Sequence, residues 1–319
     1  MTASDLPPAA AADPGADPLR AQSDRMAAIV DEVGAAAVAV LGRRGAIATG
    51  CLWRPGLVVT AAHVFRRTPA AITLVDAAGR SLAATLVGID SSTDLALFRL
   101  ADATAATPVR EGAPAPVRAG HLAIAVGRSG EGDTIASAGI VNRVGGPWQT
   151  WLGGSMDRLI RLDGGVYDGL SGAPVADASG AVIGVATAAL SRSYGIVVPA
   201  ATVSRVVDAL LANGRVARPW LGIGAQTVPL PQTAGAAAGE TSGLLVTSLA
   251  AGGPAERAGV LIGDIIVKAA QSAAANLREL RQALAAHVGR TVELAILRGG
   301  APLDLQASVG EWPGERRCG

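Results

Sequence analysis

The chain has 319 residues, of which 50% are hydrophobic and 17% are charged. This composition excludes a disordered protein and leaves room for two domains, each with its own core. With 27 basic and 26 acidic residues the net charge is +1, and no basic block stands out, so nucleic acid is not an expected partner. The two cysteines, Cys51 and Cys318, form neither a disulfide framework nor a zinc spacing, and we expect no metal or other cofactor.

The start of the sequence lacks a basic region followed by an apolar core, which is the pattern of a signal peptide. The most hydrophobic nearby run, from Met26 to Leu41, is interrupted by Asp31 and Glu32 and is too short to span a bilayer. We therefore expect no membrane segment and a cytoplasmic location. The alternative is a periplasmic or other extracytoplasmic location, if a leader is missing from the sequence.

Residues 1–20, rich in Pro, Ala and Asp, are expected to form a disordered leader, and Leu19–Val33 a short amphipathic helix. Short apolar segments separated by Gly, Pro, Asp and Asn then follow one another with almost no helical period. Many strands at such spacing are typical of an all-β sandwich or a pair of barrels. The predicted strands are Ala35–Leu41, Ala46–Trp53, Gly56–Ala61, Ala71–Asp76, Ala83–Ile89, Leu95–Leu100, Leu122–Val126, Thr134–Val144, Asp157–Leu162, Ala173–Val175, Ala181–Ala186 and Gly195–Val198.

Helical periodicity appears after Pro199, with Thr202 as a candidate start cap and Gly214 as a candidate end. This helix predicts the end of a first domain, over residues 21–216. Residues 219–311 alternate strand and helix patterns and predict a small α+β domain, followed by a tail over residues 312–319. The second helix of that domain, Asn276–Val288, starts with a capping-box-like pair, Asn276 and Glu279.

The stretch DGGVYDGLSGAPV, from Asp163 to Val175, places Ser171 between Gly169 and Gly172. Glycines around a serine allow a tight turn that exposes the hydroxyl and lets backbone amides converge where an oxyanion develops. A serine nucleophile also needs a base within hydrogen-bond reach, and the base needs a partner.

Among three histidines, His63 alone follows a predicted strand at the point where its apolar run ends. His121 and His287 are interpreted as structural or surface residues. Asp94 precedes another apolar strand, where it is either a turn carboxylate or the partner of the base. Together His63, Asp94 and Ser171 follow one of the known chain orders of a serine-protease triad.

These motifs resemble those of a known family. Thr60-Ala61-Ala62-His63 is similar to the histidine motif of chymotrypsin-fold proteases, and Asp94-Leu95-Ala96-Leu97 and DGGVYDGLSGAPV resemble the motifs of HtrA (Deg) serine proteases. The segments RPWLGI (Arg218–Ile223) and GLLVTSLAAGGPAERAGVLIGDIIVK (Gly243–Lys268) resemble the PDZ domain of that family. The chain departs from the family at Leu170, where asparagine is usual, and at Ala173, where a second glycine is usual.

The resemblance implies a mainly β chain: a chymotrypsin-like double β-barrel protease domain followed by a small PDZ domain. It implies a catalytic triad of Ser171, His63 and Asp94, with an oxyanion hole formed by the backbone amides of Gly169 and Ser171. We expect a shallow apolar S1 pocket for small to medium aliphatic side chains. Its residues would be Gly165, Ala186, Ala188 and Leu190.

For the PDZ domain the resemblance implies capture of peptide C-termini, with Trp220, Leu221, Gly222 and Ile223 as the carboxylate-binding loop and Leu284 and Val288 as the far wall. The expected function is an endopeptidase that cleaves unfolded or damaged proteins, and the resemblance implies a homotrimer. The alternative is a non-catalytic peptide-binding or holdase protein with an inactive protease domain.

Overall fold

A computed structural model of the chain describes residues 17–42, 45–65, 67, 69–103, 107–110, 116–230 and 241–312. Residues 1–16 of the expected leader and residues 313–319 of the expected tail lie outside the described residues. The chain divides into two compact units, one ending at Gly214 and the other beginning at Arg215.

The first unit starts with helix α1 (Pro18–Gly34), which begins inside the segment expected to be a disordered leader. Asp17 caps it by accepting a hydrogen bond from the amide of Leu19, and Pro18 fits the first helical turn because its missing N–H is not needed there. Ile29 and Val33 form its buried face.

The first barrel is closed by six antiparallel strands in the order β1-β2-β3-β6-β5-β4. Apolar residues from all of these strands fill its interior, with Leu52, Leu74 and Phe98 among the largest. The strands are β1 (Ala37–Gly42), β2 (Gly45–Arg54), β3 (Leu57–Ala61), β4 (Ala71–Val75), β5 (Ser81–Asp90) and β6 (Leu95–Leu100).

The second barrel is closed in the order β7-β8-β11-β14-β13-β12. It repeats the topology of the first barrel when its six strands are numbered one to six in chain order. A short hairpin, β9 (Trp148–Gln149) with β10 (Ser155–Met156), is inserted after β8. The barrel strands are β7 (Leu122–Arg128), β8 (Thr134–Gly145), β11 (Leu159–Leu162), β12 (Pro174–Ala176), β13 (Val182–Thr187) and β14 (Ile196–Pro199). The predicted double barrel is confirmed.

Arg128, at the end of β7, is a buried cation that ties helix α1 to both barrels. Its guanidinium donates to the carbonyls of Gly34, Ala37 and Gly132, which satisfies backbone acceptors at the end of α1 and the start of β1. Burial lowers the pKa of Arg128 from its ordinary value, although the group stays protonated at neutral pH.

Helix α2 (Ala200–Asn213) closes the first unit, and Gly214 ends it in the left-handed conformation, at φ 67°, as predicted. The prediction that Thr202 caps its start was wrong. Thr202 is fully buried inside the first turn, and its hydroxyl donates to the carboxylate of Asp157 over 2.6 Å instead.

The second unit is a five-strand antiparallel path, β16-β17-β18-β20-β21, with β19 paired to β18 and a separate pair of β15 with β22. The strands are β15 (Pro219–Trp220), β16 (Ile223–Pro229), β17 (Ser242–Leu249), β18 (Ile265–Ala269), β19 (Ser272–Ala273), β20 (Thr291–Arg298), β21 (Ala301–Ser308) and β22 (Gly310–Glu311). The helices are α3 (Pro254–Arg257) and α4 (Leu277–Leu284), the latter continued by a 3-10 turn, Ala285–His287.

The predicted pair at the start of α4 forms: Asn276 accepts from the amide of Glu279 over 3.0 Å. The reciprocal bond differs from a capping box, because the Glu279 carboxylate accepts from the amide of Ala275, one residue before the cap. The turn between β18 and β19 lacks the usual Asn-Gly pair, yet it closes as a two-residue loop. Ala270 and Gln271 both take positive φ, at 47° and 66°, which strains two residues that carry a Cβ.

Asp264, 2% exposed, joins β18 to β20 in this unit. It accepts two parallel hydrogen bonds from the guanidinium of Arg298, over 2.9 and 2.8 Å, and a third from the amide of Leu261. The hydrogen bonds from Arg298 hold the pKa of the Asp264 carboxyl below its ordinary value.

Candidate active site

Strand pairing in the first barrel brings His63 and Asp94 together. β3 and β6 are antiparallel neighbours with Ala61 opposite Leu95, so the residues after β3 and before β6 meet at one edge of the barrel. Nδ1 of His63 lies 2.7 Å from Oδ2 of Asp94, and the His63 amide donates to Oδ1 over 2.8 Å. The carboxylate therefore holds both the ring and the backbone of His63.

The surroundings of Asp94 fix its carboxylate from several sides. The residue is 3% exposed and has φ 61°, in a region that few side-chain-bearing residues adopt. Thr187, at the end of β13 in the second barrel, donates its hydroxyl to Oδ2 over 2.5 Å. The side chain of His63 remains 34% exposed, so a buried carboxylate holds an imidazole ring that faces solvent.

Ser171 lies in the turn between β11 and β12 of the second barrel. This turn contacts β2 and β3 of the first barrel, close to the edge where His63 lies. The carbonyl of Ser171 accepts from the amide of Thr49, in β2 of the first barrel, over 3.0 Å. A Cβ on the following residue, Gly172, would lie 2.9 Å from the amide nitrogen of Ala61, two residues before His63. The turn around Ser171 thus packs against the end of β3, two residues before His63.

The backbone requires glycine both two residues before Ser171 and directly after it, since Gly169 has φ +84° and Gly172 has φ +88°. Ala173 is not among the positive-φ residues, so a second glycine is not needed after Gly172. The amides of Gly169 and Ser171 donate to no partner among the residues that the structure describes. Such unpaired N–H groups on one turn are the donors that an oxyanion requires.

Leu170 anchors this turn, because its side chain is 2% exposed and belongs to the core of the second barrel. Its backbone is also held, since its amide donates to the carbonyl of Tyr167 and its carbonyl accepts from Ala173. Replacing the usual asparagine with leucine therefore gives the turn an apolar anchor.

The four residues predicted to form S1 are not all brought into one cavity. A cleft of about 190 Å³ contains Gly165, together with Asp163 and Leu170, but none of the other three. Ala186 is fully buried, and its backbone pairs with Gly172 and Ala173. Ala188 is exposed, whereas Leu190 is 9% exposed.

In the second unit, the predicted carboxylate-binding loop leads into β16, the edge strand of the sheet. Gly222 has φ +75°, and the amides of Leu221 and Gly222 donate to no described residue, whereas their carbonyls accept from Ala255 and Ala250. Trp220 instead pairs with β22, and Ile223 begins β16. Leu284 belongs to the core of the unit, and Val288 is partly buried against it.

Sequence reasoning missed Thr187 as a partner of Asp94. The available signal was weak: Thr187 is the one polar residue at the end of an apolar strand, VIGVAT. Which side chain it would face depends on how β13 meets β6, and that is a property of the assembled barrels.

Within the described part of the chain, no cluster of three His, Cys, Asp or Glu residues could hold a metal ion. Over the same residues, no helix combines the length and apolarity that crossing a membrane requires.

Comparison with known sequences and structures agrees with this architecture. The trypsin-like peptidase domain family matches residues 48–185, and the PDZ domain family matches residues 220–309. Among solved structures, the HtrA-type protease AlgW with a decapeptide is 24% identical with a TM-score of 0.75, covering 90% of this chain and 98% of that one. The same protease with a tripeptide is 25% identical, with a TM-score of 0.73 and coverage of 90% and 97%.

Curated relatives include probable periplasmic serine endoproteases described as DegP-like. The protein of Rhizobium meliloti is 34% identical over 269 residues, which are 82% of this chain and 52% of the relative. That of Bartonella henselae is 34% identical over 266 residues, 81% of this chain and 52% of the relative. This chain thus spans about half the length of these relatives.

The expected cytoplasmic location was wrong, because these relatives are named periplasmic enzymes. The composition of the first residues was a poor guide to the compartment.

The double barrel, the two domain matches and these relatives lead to one conclusion: the chain combines a trypsin-like peptidase domain with a PDZ domain and is similar to DegP-like serine endoproteases over about half of their length.

Proposed function

We propose that the chain is a serine endopeptidase of protein quality control, which cleaves unfolded or damaged polypeptides. The observation that carries the proposal is the 2.7 Å contact between His63 Nδ1 and Asp94 Oδ2 at the edge against which the Ser171 turn packs. This contact supports the proposal that the two barrels together supply the base, the orienting carboxylate and the nucleophile.

In the proposed mechanism, the Ser171 hydroxyl attacks the scissile carbonyl while Nε2 of His63 takes its proton. The negative charge that develops on the carbonyl oxygen is stabilised by hydrogen bonds that the amides of Gly169 and Ser171 donate, and one such donor contributes about 2.7–4 kcal/mol. His63 then returns the proton to the leaving amine, and the acyl group stays on Ser171. In the second half of the reaction, His63 takes a proton from a water molecule, which attacks the acyl group and releases it from Ser171 as a carboxylic acid.

Asp94 keeps the His63 ring in the tautomer with its proton on Nδ1 and stabilises the imidazolium that forms during the reaction. Burial of Asp94 supports this role, because the carboxylate interacts more strongly with the ring where water is excluded.

We extend the proposal to substrate preference: the cleft that contains Gly165 would serve as a small S1 pocket for an aliphatic P1 side chain. A panel of peptides that differ only at P1 tests this part. Cleavage after Val, Ala or Leu is expected, and preferred cleavage after Arg or Lys would contradict it.

For the second unit we propose capture of peptide C-termini at the outer edge of β16. A peptide can add there as a further strand because, among the strands that the structure describes, β16 pairs only with β17, and α4 packs near it. The amides of Leu221 and Gly222, and of Ile223 at the start of β16, would bind the terminal carboxylate, with Trp220 beside them and Leu284 and Val288 behind. Titration with an apolar decapeptide and its C-terminal amide tests this, because equal affinities would contradict the proposal.

A periplasmic location and a homotrimer complete the proposal. The names of the DegP-like relatives support the first, whereas the second follows from the family resemblance. Sedimentation of the 31.7 kDa chain tests the assembly, since a trimer has three times that mass.

The decisive test is labelling with a fluorophosphonate, which reacts with an activated serine. The wild-type chain should be labelled and should degrade an unfolded substrate, and Ser171→Ala should do neither. A folded wild-type chain that is not labelled would favour the alternative of a non-catalytic peptide-binding protein.

A further inference from the structure

Thr49 is a buried polar residue in β2 of the first barrel, with no exposed surface. A hydroxyl in such a place has to be hydrogen-bonded, because leaving it unpaired costs free energy. Oγ1 of Thr49 donates to the carbonyl of Gly169 over 2.7 Å and accepts from the amide of Arg128 over 3.2 Å. Both partners belong to the second barrel.

The backbone of Thr49 contacts the same turn a second time. Its amide donates to the carbonyl of Ser171 over 3.0 Å, and its own carbonyl accepts from the hydroxyl of Thr60 over 2.7 Å. One residue of the first barrel therefore holds the carbonyls on both sides of Leu170.

These contacts decide how the peptide planes of the turn are oriented. The peptide between Gly169 and Leu170 is held at both ends, by Thr49 at its oxygen and by the carbonyl of Tyr167 at its nitrogen. Glycine has wide freedom of rotation, so without a partner the Gly169 carbonyl could turn away. Such a rotation would displace the neighbouring amides of Gly169 and Ser171.

The adjacent strand leaves room for this contact. A Cβ on Gly127, in β7, would lie 2.8 Å from Oγ1 of Thr49 and 2.6 Å from a methyl group of Leu170. Because Gly127 has no side chain, the hydroxyl and the Leu170 anchor can both reach their places.

We propose that Thr49 is a positioning residue for the nucleophile turn: its hydroxyl fixes the Gly169 carbonyl and so holds the amides of Gly169 and Ser171 in an oxyanion-binding arrangement. This inference rests on the proposed peptidase function. Thr49 touches no reacting atom and acts through Gly169.

The test compares Thr49→Val, which keeps the shape but removes the hydroxyl, with Thr49→Ser, which keeps the hydroxyl. Thr202→Val is the matched control, since Thr202 is equally buried and its hydroxyl donates to the carboxylate of Asp157 and accepts from the amide of the same residue.

For Thr49→Val we expect kcat and the rate of phosphonate labelling to fall about 10- to 100-fold, the effect of losing one buried hydrogen bond. KM should change less than about threefold, since oxyanion binding acts in the transition state.

Thr49→Ser should recover labelling to within about threefold of wild type, while Thr202→Val should lose thermal stability yet keep kcat. Unchanged labelling in a folded Thr49→Val, or an equal loss of kcat in Thr202→Val, would overturn the role of Thr49 and leave the peptidase function intact. A wild-type chain that does not react at all would overturn both proposals.

Discussion

The carbonyl oxygen of Thr49 lies directly against the α-carbon of Gly172, so a Cβ built on this glycine would lie 2.1 Å from the oxygen. Gly172→Ala combines this overlap with a left-handed backbone, at φ +88°. We expect it to lower the free energy of unfolding by about 3–5 kcal/mol, which urea denaturation followed by circular dichroism would measure.

Gly169→Ala is the matched variant, because its φ of +84° is similar but a Cβ there would meet no atom within 4 Å. It should cost only about 1–2 kcal/mol of stability, from the backbone conformation alone. A Gly172→Ala chain as stable as Gly169→Ala would show that the barrels can separate to accept the methyl group.

The contact of Thr187 with Asp94 predicts that substitutions of these two residues lower kcat by different amounts. Asp94→Asn should lower kcat about 10⁴-fold, the loss known for this change in the trypsin triad, because the ring of His63 then adopts the wrong tautomer. Thr187→Val removes one donor from a carboxylate that stays charged, and a loss of about 10- to 100-fold is expected. Steady-state kinetics with one peptide substrate separates the two.

Thr187→Ser keeps the hydroxyl and serves as the control for Thr187→Val. If serine and valine reduce kcat equally, then packing at the end of β13, rather than the hydrogen bond, accounts for the effect.

The pairing of the buried Asp264 carboxylate with the partly exposed Arg298 predicts an acid-sensitive second unit. The folded-state pKa of Asp264 lies below its unfolded value of about 3.9. The stabilisation is therefore fully present above that unfolded value and is lost as the pH falls through the folded-state pKa. Hydrogen exchange at the amide of Leu261, which donates to Asp264, should lose protection below about pH 4 after correction for intrinsic rates.

Asp264→Asn should remove this pH dependence, because no group titrates at the position. An unchanged protection profile of the wild-type chain between about pH 5 and pH 2 would contradict the assignment.

The strained turn of Ala270 and Gln271 offers a stabilising substitution. Gln271→Gly relieves a left-handed backbone and should raise the free energy of unfolding of the second unit by about 1 kcal/mol. The side chain of Gln271 makes one exposed hydrogen bond, 3.2 Å long, to Glu293, so its loss costs little. Gln271→Ala is the control: it loses the same hydrogen bond but keeps the strain, and thermal melts should rank glycine above wild type and alanine below it.

Much of the fold could be predicted because local patterns and global structure agree. All twelve segments predicted in the first unit are barrel strands, with ends that differ by at most two residues. The hairpin of β9 and β10 was missed since two-residue strands, such as Trp148–Gln149, are too short to show alternation.

The positions of His63, Asp94 and Ser171 followed from their places at strand ends and in a glycine turn. The partners of these residues could not be derived in that way. Thr49 and Thr187 look like ordinary threonines in apolar strands, and Thr202 looked like a helix cap. Their hydrogen bonds run between distant segments, which only the closed barrels bring together.

The two barrels, which share one strand order, each hold a different part of the proposed site. His63 and Asp94 are carried by the first barrel, and Ser171 by the second. In the proposed mechanism, a chain in which only one barrel has formed therefore presents either the base or the nucleophile, but not both. Under the proposed function, a folding intermediate could not cleave other chains, and peptidase activity would arise only when both barrels have closed.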